Sequence, residues 1–194
     1  MSVNTEEVDP VGEEAAGNLA RAALFAALVG AGAYVSFPNP LAPGVPVTLQ
    51  VLAVFLAGIF LGPVWAGASM ALYVVAGAAG APVFAGGAAG VGALVGPTAG
   101  YIWAFPVAAV VLGAIVHGGL ELRDPGAAGL SRLVGGMVLA TAIVYGGGVL
   151  GGMAVTGVGP LAAIETYAAA FVPAEAFKIA AVVGIVRSNA IRAA

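Results

Sequence analysis

The sequence predicts an all-α integral membrane protein that folds as a bundle of six transmembrane helices. Hydrophobic residues make up 61% of the 194 residues, whereas charged residues make up only 8%. The mean hydropathy of +1.09 lies far above that of ordinary soluble domains. No Asp, Glu, Lys or Arg occurs between Arg21 and Glu121. The apolar runs are continuous rather than alternating, which favours helices over a transmembrane β-barrel.

Clusters of proline and glycine divide the apolar sequence into six candidate membrane spans. Glycine is frequent within them, with 31 residues in the chain. Together with alanine it allows helices to approach closely. The predicted spans are 19–36, 47–61, 64–80, 98–117, 131–152 and 173–190.

The first 18 residues differ from the rest of the chain. They contain four Glu and one Asp but no cation, so they lack the basic start of a signal peptide. We interpret residues 1–18 as an acidic, disordered cytoplasmic tail and residues 19–194 as a single transmembrane domain.

The arginines predict the orientation of the bundle. With a cytoplasmic N-terminus and six spans, all five arginines fall on the cytoplasmic side, in agreement with the positive-inside bias. They are Arg21, Arg123, Arg132, Arg187 and Arg192. We therefore expect a multi-pass protein of the cell membrane with both termini in the cytoplasm.

Three connections then lie on the outer side, at 37–48, 80–98 and 159–173. They are apolar and rich in Gly or Pro, unlike ordinary solvated loops, so we expect them to fold back over the bundle. Apolar covering on one side only indicates a ligand site that opens outward.

The last predicted span contains two charged residues, Glu175 and the chain's only lysine, Lys178. Pro173 suits the first position of a helix, so both residues fall in the first two turns, and their spacing of three places them on one face. Charged residues within membrane spans usually mark functional sites. The alternative is a self-neutralising pair that anchors the helix, with Lys178 extending to the interface.

The first span repeats small residues every four positions along two adjacent lines, Ala22, Ala26 and Gly30 on one, and Ala23, Ala27 and Ala31 on the other. Such a flat strip suits close helix packing, within the chain or with a partner.

The sequence contains no P-loop, HExxH motif, nucleophile elbow or histidine cluster, so it predicts neither an enzyme nor a metal site.

Three motifs occur in an order that resembles a known family: PVTLQVLAVFLAGIFLGP (46–63), GAAGAPVFAGGAAGVGALVGPTAGYIWAFP (77–106) and FVPAEAFKIAAVVG (171–184). The chain from about residue 19 onward resembles the BioY family, the biotin-binding S components of energy-coupling factor (ECF) vitamin transporters. The resemblance implies a six-helix protein that captures biotin from outside. Its implied partners are a transmembrane coupling subunit, two ATPase subunits and membrane lipid, with no nucleic acid and no cofactor.

The resemblance assigns the family's acid and lysine to Glu175 and Lys178, although the family acid is usually aspartate. The alanines of the first helix, Ala22, Ala23, Ala26 and Ala27, correspond to the motif that docks on the coupling subunit. Glu175 suits the ureido N–H groups of biotin, and Lys178 suits its carboxylate or a bridge between Glu175 and the ligand. The other predicted ligand contacts are Thr48, Gln50, Phe84, Gly86, Gly87 and Tyr101, and Trp103 is a further candidate for an aromatic wall.

A second functional class remains open, a self-sufficient channel or ion-coupled carrier of another small solute. Asn39-Pro40-Leu41 is a single poor match to the paired NPA boxes of water channels. The sequence also lacks a visible repeat of interrupted helices. Uptake by the chain alone would favour this class.

Overall fold

The computed structural model of the protein describes residues 11–42 and 44–188. Within these residues the chain is mainly helical, with one short antiparallel strand pair in which Ser36 faces Thr48 and Phe37 faces Val47. The helices are α1 (Val11–Gly32), α2 (Gln50–Ala78), α3 (Ala99–His117), α4 (Leu130–Thr156), α5 (Pro160–Tyr167) and α6 (Val172–Arg187), and the strands are β1 (Ser36–Phe37) and β2 (Val47–Thr48).

Five helical stretches of the described chain are long and apolar enough to cross a membrane: Gly12–Gly32, Gln50–Ala78, Ala99–His117, Leu130–Thr156 and Pro160–Arg187. The predicted class, a helical multi-pass membrane protein, is confirmed. The longest helix, α2, has 29 residues. A straight helix of that length would measure about 43 Å, well above the hydrocarbon thickness of about 30 Å.

Helix α2 is not straight, because its backbone leaves the helical region at Gly62, where φ is 69° and ψ is 175°. Gln50 Nε2 donates a hydrogen bond of 2.7 Å to Tyr73 Oη. Twenty-three residues of straight helix would separate these residues by about 34 Å. The chain therefore reverses direction at Gly62, and α2 consists of two antiparallel arms, 50–61 and 63–78.

The reversal is stabilised by His117 at the end of α3. Pro63 has no backbone N–H, so the carbonyl of Ile59 loses the donor that a continuous helix would provide. His117 Nε2 lies 2.9 Å from that carbonyl oxygen, and His117 Nδ1 accepts a hydrogen bond of 3.0 Å from the backbone N–H of Arg123. Since Nδ1 is an acceptor, Nε2 carries the proton and donates to Ile59.

The two arms of α2 pack against α1 and α3, and α3 packs against α4. Glycines permit the closest approaches, as where Gly100 of α3 faces the backbone of Gly147 in α4, and Gly113 of α3 faces the Gly62–Pro63 turn. The buried core between these helices includes Val29, Phe55, Ile59, Met70, Leu112, Leu133 and Met137.

The bundle has two distinct ends. We call one the arginine end; it contains the Gly62 turn, His117 and Arg187, whose guanidinium donates to the carbonyls of Gly126 and Ala128. We call the other the loop end; it contains the connections 33–49, 79–98 and 157–171. These connections contact one another there, since Tyr34 Oη donates to the Pro82 carbonyl and Asn39 Nδ2 donates to the Ala170 carbonyl.

Several predicted boundaries differ from the structure. Residues 1–10 of the predicted tail lie outside the described residues, but 11–18 are helical and begin α1. Glu13 and Glu14 occupy its first turn, where the helix dipole favours acidic side chains. The predicted outer connection 159–173 contains the short helix α5, with Pro160 in its first turn. Thr98 directly precedes α3 but makes no capping hydrogen bond through its side chain.

Candidate ligand-binding site

A cavity of about 50 Å³ lies at the loop end, enclosed by α2, α3, α4, α6 and the covering connections. One polar group in its lining comes from the start of α2 and another from the start of α6, with apolar and aromatic side chains between them. The lining residues are Val45, Pro46, Thr48, Gln50, Val51, Ala85, Thr98, Tyr101, Ile102, Phe105, Tyr145, Phe171 and Lys178.

The charged pair of α6 forms one wall of this site. Glu175 is 3% exposed and Lys178 is 5% exposed, and Lys178 Nζ lies 2.5 Å from Glu175 Oε1. Tyr145 Oη of α4 donates a hydrogen bond of 2.7 Å to the same carboxylate oxygen. The other oxygen, Glu175 Oε2, is buried without a hydrogen-bond partner among the described residues. A buried carboxylate oxygen in that state costs free energy unless a donor reaches it.

The position of Lys178 decides between the two interpretations of the pair. A lysine that anchors a helix at the interface places its ammonium in water. Lys178 is instead almost fully buried and lines the cavity. Its ammonium carries three donors, and the hydrogen bond to Glu175 uses one of them. The pair is neutral overall, yet it retains both an acceptor and donors for further bonds.

Gln50 and Thr48 form the second polar group. Thr48 Oγ1 donates to Gln50 Oε1 at 3.2 Å, and Gln50 Nε2 donates to Tyr73 Oη at 2.7 Å and to the Val83 carbonyl at 3.4 Å. Gln50 is buried and its amide is held in one orientation by these partners. The first residues of α2 therefore present a fixed polar surface to the cavity.

Three aromatic rings separate the two polar groups. Tyr145 stacks on Phe171 with ring centroids 5.4 Å apart, and Tyr101 meets Tyr145 edge to face at 5.8 Å. Tyr101 Oη donates a hydrogen bond of 2.6 Å to the Tyr167 carbonyl. A Cβ atom at Gly148 would collide with the Tyr101 ring, so the glycine of α4 makes room for this side chain.

The structure brings four of the predicted ligand residues to the cavity surface, namely Thr48, Gln50, Tyr101 and Lys178. Glu175 lies directly behind that surface, bonded to Lys178 and Tyr145. Sequence reasoning missed Tyr145 and Phe171 as site residues. The available signal for Tyr145 was that it is one of the few polar residues within the spans.

Phe84 does not line the cavity, contrary to the prediction. Its ring occupies the space left by Gly77 and meets Tyr73 edge to face at 5.4 Å, so it belongs to the core beside the site. Gly86 and Gly87 adopt positive φ angles of 70° and 75°, but their neighbour Ala85 is the member of this turn that lines the cavity.

Trp103 also lies away from the cavity. It is 54% exposed, and its Nε1 donates to the Leu94 carbonyl. In a helix that starts at Ala99, residue 103 falls on the face opposite the site, which the motif alone does not reveal.

The alanines of α1 divide between two faces. Ala22 is fully buried and Ala26 packs against the core, so this line of small residues serves internal packing. Gly30 continues the same line against Val83. Ala23 and Ala27 are exposed. Ala22 was therefore wrongly assigned to a partner surface, because one line of the double strip faces inward.

Within residues 11–42 and 44–188, no three His, Cys, Asp or Glu side chains cluster as a metal site would require. The single histidine, His117, has both ring nitrogens engaged at the arginine end.

The fold and the apolar helices define a multi-pass membrane protein with a polar, aromatic-lined cavity near one end of its bundle. The model of the BioY family matches residues 4–194, which is nearly the whole chain. The chain belongs to the BioY family.

Three proteins with sequences similar to this chain are each named as a biotin transporter or probable biotin transporter. The chain is 46% identical over 91 residues to a probable biotin transporter BioY of Pyrococcus horikoshii, covering 47% of this chain and 54% of that protein. It is 40% identical over 99 residues to the biotin transporter BioY of Thermotoga maritima, covering 51% and 57% of the two chains. With the biotin transporter BioY of Rhodobacter capsulatus it shares 40% identity over 135 residues, covering 69% and 68%. The first two alignments thus span little more than half the length of those relatives.

A solved structure has the same fold. The crystal structure of the S-component for biotin from an ECF-type ABC transporter superimposes with a TM-score of 0.76, covering 91% of this chain and 92% of that chain. The sequence identity of 21% limits this comparison to the fold.

Proposed function

We propose that this chain is the substrate-binding membrane subunit of an ECF transporter, that it captures biotin from outside the cell, and that it catalyses no reaction itself. The observation that carries the proposal is the buried Glu175–Lys178 pair at the cavity, in which one carboxylate oxygen has no partner among the described residues. Membership of the BioY family supports biotin as the ligand.

The proposed topology has six membrane helices, because the two arms of α2 count as separate spans on either side of Gly62. The remaining four are α1, α3, α4 and α6. Arg187 lies at the arginine end, and Arg123 and Arg132 lie close to the α3–α4 connection at the same end. The positive-inside bias then assigns this end to the cytoplasmic side of a cell membrane. The loop end, with the cavity, faces outward.

The chemistry of biotin matches the two polar groups and the aromatic wall. Its ureido group has two N–H donors and one carbonyl acceptor. We assign an N–H donor to Glu175 Oε2, which is buried and has no other partner among the described residues. Lys178 then bridges Glu175 and the ligand with one of its remaining donors. The thiophane ring and alkyl chain suit the surface of Tyr101, Tyr145 and Phe171.

The cavity volume of about 50 Å³ is small for such a ligand. Sites for small organic ligands commonly measure about 300 Å³ or more. Binding therefore requires the covering connections at the loop end to move outward and close again over the ligand.

The exposed line of Ala23 and Ala27 on α1 is the proposed docking surface for the coupling subunit of the transporter. Small side chains let a partner helix approach closely in lipid. ATPase subunits would act through that coupling subunit. Ala22 and Ala26 are not part of this surface, because they pack inside the bundle.

Titration of the purified protein with biotin and with biotin methyl ester tests this proposal. We expect saturable binding of both, with the ester bound nearly as tightly, since the charged pair is assigned to the ureido group. Absence of biotin binding would refute the function. A large loss for the ester alone would keep the function but move Lys178 to the ligand carboxylate. Uptake by vesicles that contain this chain without ATPase subunits would instead favour a self-sufficient carrier.

A further inference from the structure

Asn39 is a buried polar residue in the 37–48 connection that the proposed function does not use. Its side chain is 8% exposed. Asn39 Nδ2 donates to the Ala170 carbonyl at 3.2 Å, and Asn39 Oδ1 accepts from the backbone N–H of Leu41 at 3.1 Å. One partner is a donor and the other an acceptor, so the orientation of the amide is determined by its surroundings.

The hydrogen bond to Ala170 links two parts of the cavity wall. The 37–48 connection contributes Val45, Pro46 and Thr48 to the lining. Ala170 belongs to the 3₁₀ turn Ala169–Phe171, which leads directly into α6 and its charged pair. Among the residues that the structure describes, this is the only hydrogen bond from the connection to the α4–α6 half of the molecule.

Apolar contacts run alongside this hydrogen bond. Ala42 and Val45 are buried against Tyr145, Tyr167 and Phe171 in a small cluster separate from the main core. The base of the connection is held independently by the β1–β2 pair and by the Leu49 N–H, which reaches the carbonyls of Gly32 and Val35. The Asn39 bond therefore holds the part of the connection farthest from its base.

We propose that Asn39 is a positioning residue for the ligand site, holding the 37–48 connection closed over the cavity and slowing ligand release. This rests on the proposed function, in which the covering connections move to admit biotin. Breaking the bond favours the open arrangement of the connection. The dissociation rate constant of biotin then rises about fivefold to tenfold, as expected for one hydrogen bond, whereas the association rate constant does not fall.

Asn39→Asp is the discriminating variant. Aspartate still accepts from the Leu41 N–H, so the local turn is retained, but it offers no donor to the Ala170 carbonyl. Asn18→Asp is the matched control. It makes the same chemical change in α1 beside Arg21, in a groove at the arginine end. Asn39→Ala removes both side-chain bonds and reports their combined effect.

Rates are measured by loading the protein with radiolabelled biotin and chasing with excess unlabelled biotin, together with thermal unfolding of each variant. The expected result is faster dissociation from Asn39→Asp, with association no slower than wild type and only a small fall in unfolding temperature, and no change for Asn18→Asp. Unchanged dissociation would overturn the proposal. So would an equal loss of binding and thermal stability, which indicates a merely structural residue.

Hydrogen exchange of the ligand-free protein separates this proposal from the proposed function. Asn39→Asp should accelerate exchange of the amides at 42, 44 and 45 relative to wild type, whereas the β2 amides at 47 and 48 should not change, and Asn18→Asp should alter none of them. This outcome does not depend on biotin binding. Unaltered exchange in Asn39→Asp would overturn the positioning role even if the protein binds biotin.

Discussion

His117 at the arginine end and the Glu175–Lys178 pair at the loop end are buried polar groups that differ in how far their hydrogen bonds are completed. At the arginine end, His117 connects the Ile59 carbonyl and the Arg123 N–H through its two ring nitrogens. Arg187, an exposed residue of the same end, donates to two carbonyls of the α3–α4 connection. At the loop end, Glu175 has one buried oxygen to which no residue in the described part of the chain donates, and Lys178 uses one of its three donors there.

This difference separates His117, which stabilises the fold, from the Glu175–Lys178 pair, which we propose to bind a ligand. A buried polar group whose hydrogen bonds are completed within the chain stabilises one conformation. A buried group left incomplete lowers stability until another molecule supplies the missing partner. We therefore propose that His117 serves stability and the charged pair serves binding, so that substitutions at the two positions should affect different measurements.

The largest effect is expected when both charges of α6 are removed, as in the double variant Glu175→Gln with Lys178→Met. Replacing a buried ion pair by neutral side chains of similar volume is often neutral or stabilising. We expect the unfolding temperature to be kept or raised, whereas biotin affinity falls about 100-fold or more because the ligand's polar end loses its partners. Equilibrium titration and thermal unfolding measure the two quantities.

Glu165→Gln is the control for that experiment, since Glu165 is an exposed acid of α5 at the same end of the molecule and does not line the cavity. It should leave affinity unchanged. Wild-type binding by the double variant would remove the charged pair from the site.

A smaller effect, on stability alone, is expected for His117→Ala. The Ile59 carbonyl and the Arg123 N–H both lose their partner, and the side chain leaves a void, so the free energy of unfolding should fall by about 3 kcal/mol. Biotin affinity should remain within about twofold of wild type because the ligand site is at the other end. Thermal unfolding in detergent and titration are the measurements.

His117→Gln serves as its partner variant, since an amide restores one of the two bonds and should recover part of the stability. If His117→Ala weakens biotin binding as much as loss of the charged pair, the two ends are not separate in function.

The smallest of the three effects is expected for Tyr145→Phe, which retains the stacking on Phe171 but loses the donor to Glu175 Oε1. Affinity should fall about fivefold to tenfold, with little change in unfolding, since the carboxylate is then oriented by Lys178 alone. Tyr101→Phe makes the same chemical change in the same aromatic cluster but removes a bond to the Tyr167 carbonyl. If both variants lose the same affinity, the effect of Tyr145 comes from the cluster and not from Glu175.

Much of the architecture follows from the sequence because hydropathy and helix-breaking residues are local signals. Gly62 and Pro63 marked the boundary between two predicted spans, and the structure places the reversal of α2 there. Glu175 and Lys178 were recognised because charge is rare in apolar helices. The start of α1 was misplaced because an acidic sequence resembles a disordered tail, although two of its glutamates suit the first helical turn.

The composition of the site depends on contacts that no local pattern records. Phe84 belongs to a glycine-rich motif typical of ligand loops. Its ring nevertheless packs in the core, because Gly77 has no side chain and leaves room for it. Tyr145 reaches Glu175 from another helix, thirty residues earlier in the chain. Of the two neighbouring alanine lines in α1, the one that continues to Gly30 faces inward, and Gly30 packs there against Val83, again a tertiary contact.

The burial of Lys178 provides a chemical reporter within the chain itself. Apart from the α-amino group of Met1, its ammonium is the only amine of the 194-residue sequence. It lies in the cavity wall and is 5% exposed. Acylation by a small amine-reactive reagent, read from a single tryptic peptide, therefore reports directly on whether the cavity is open, and protection of that one amine reports on its occupation.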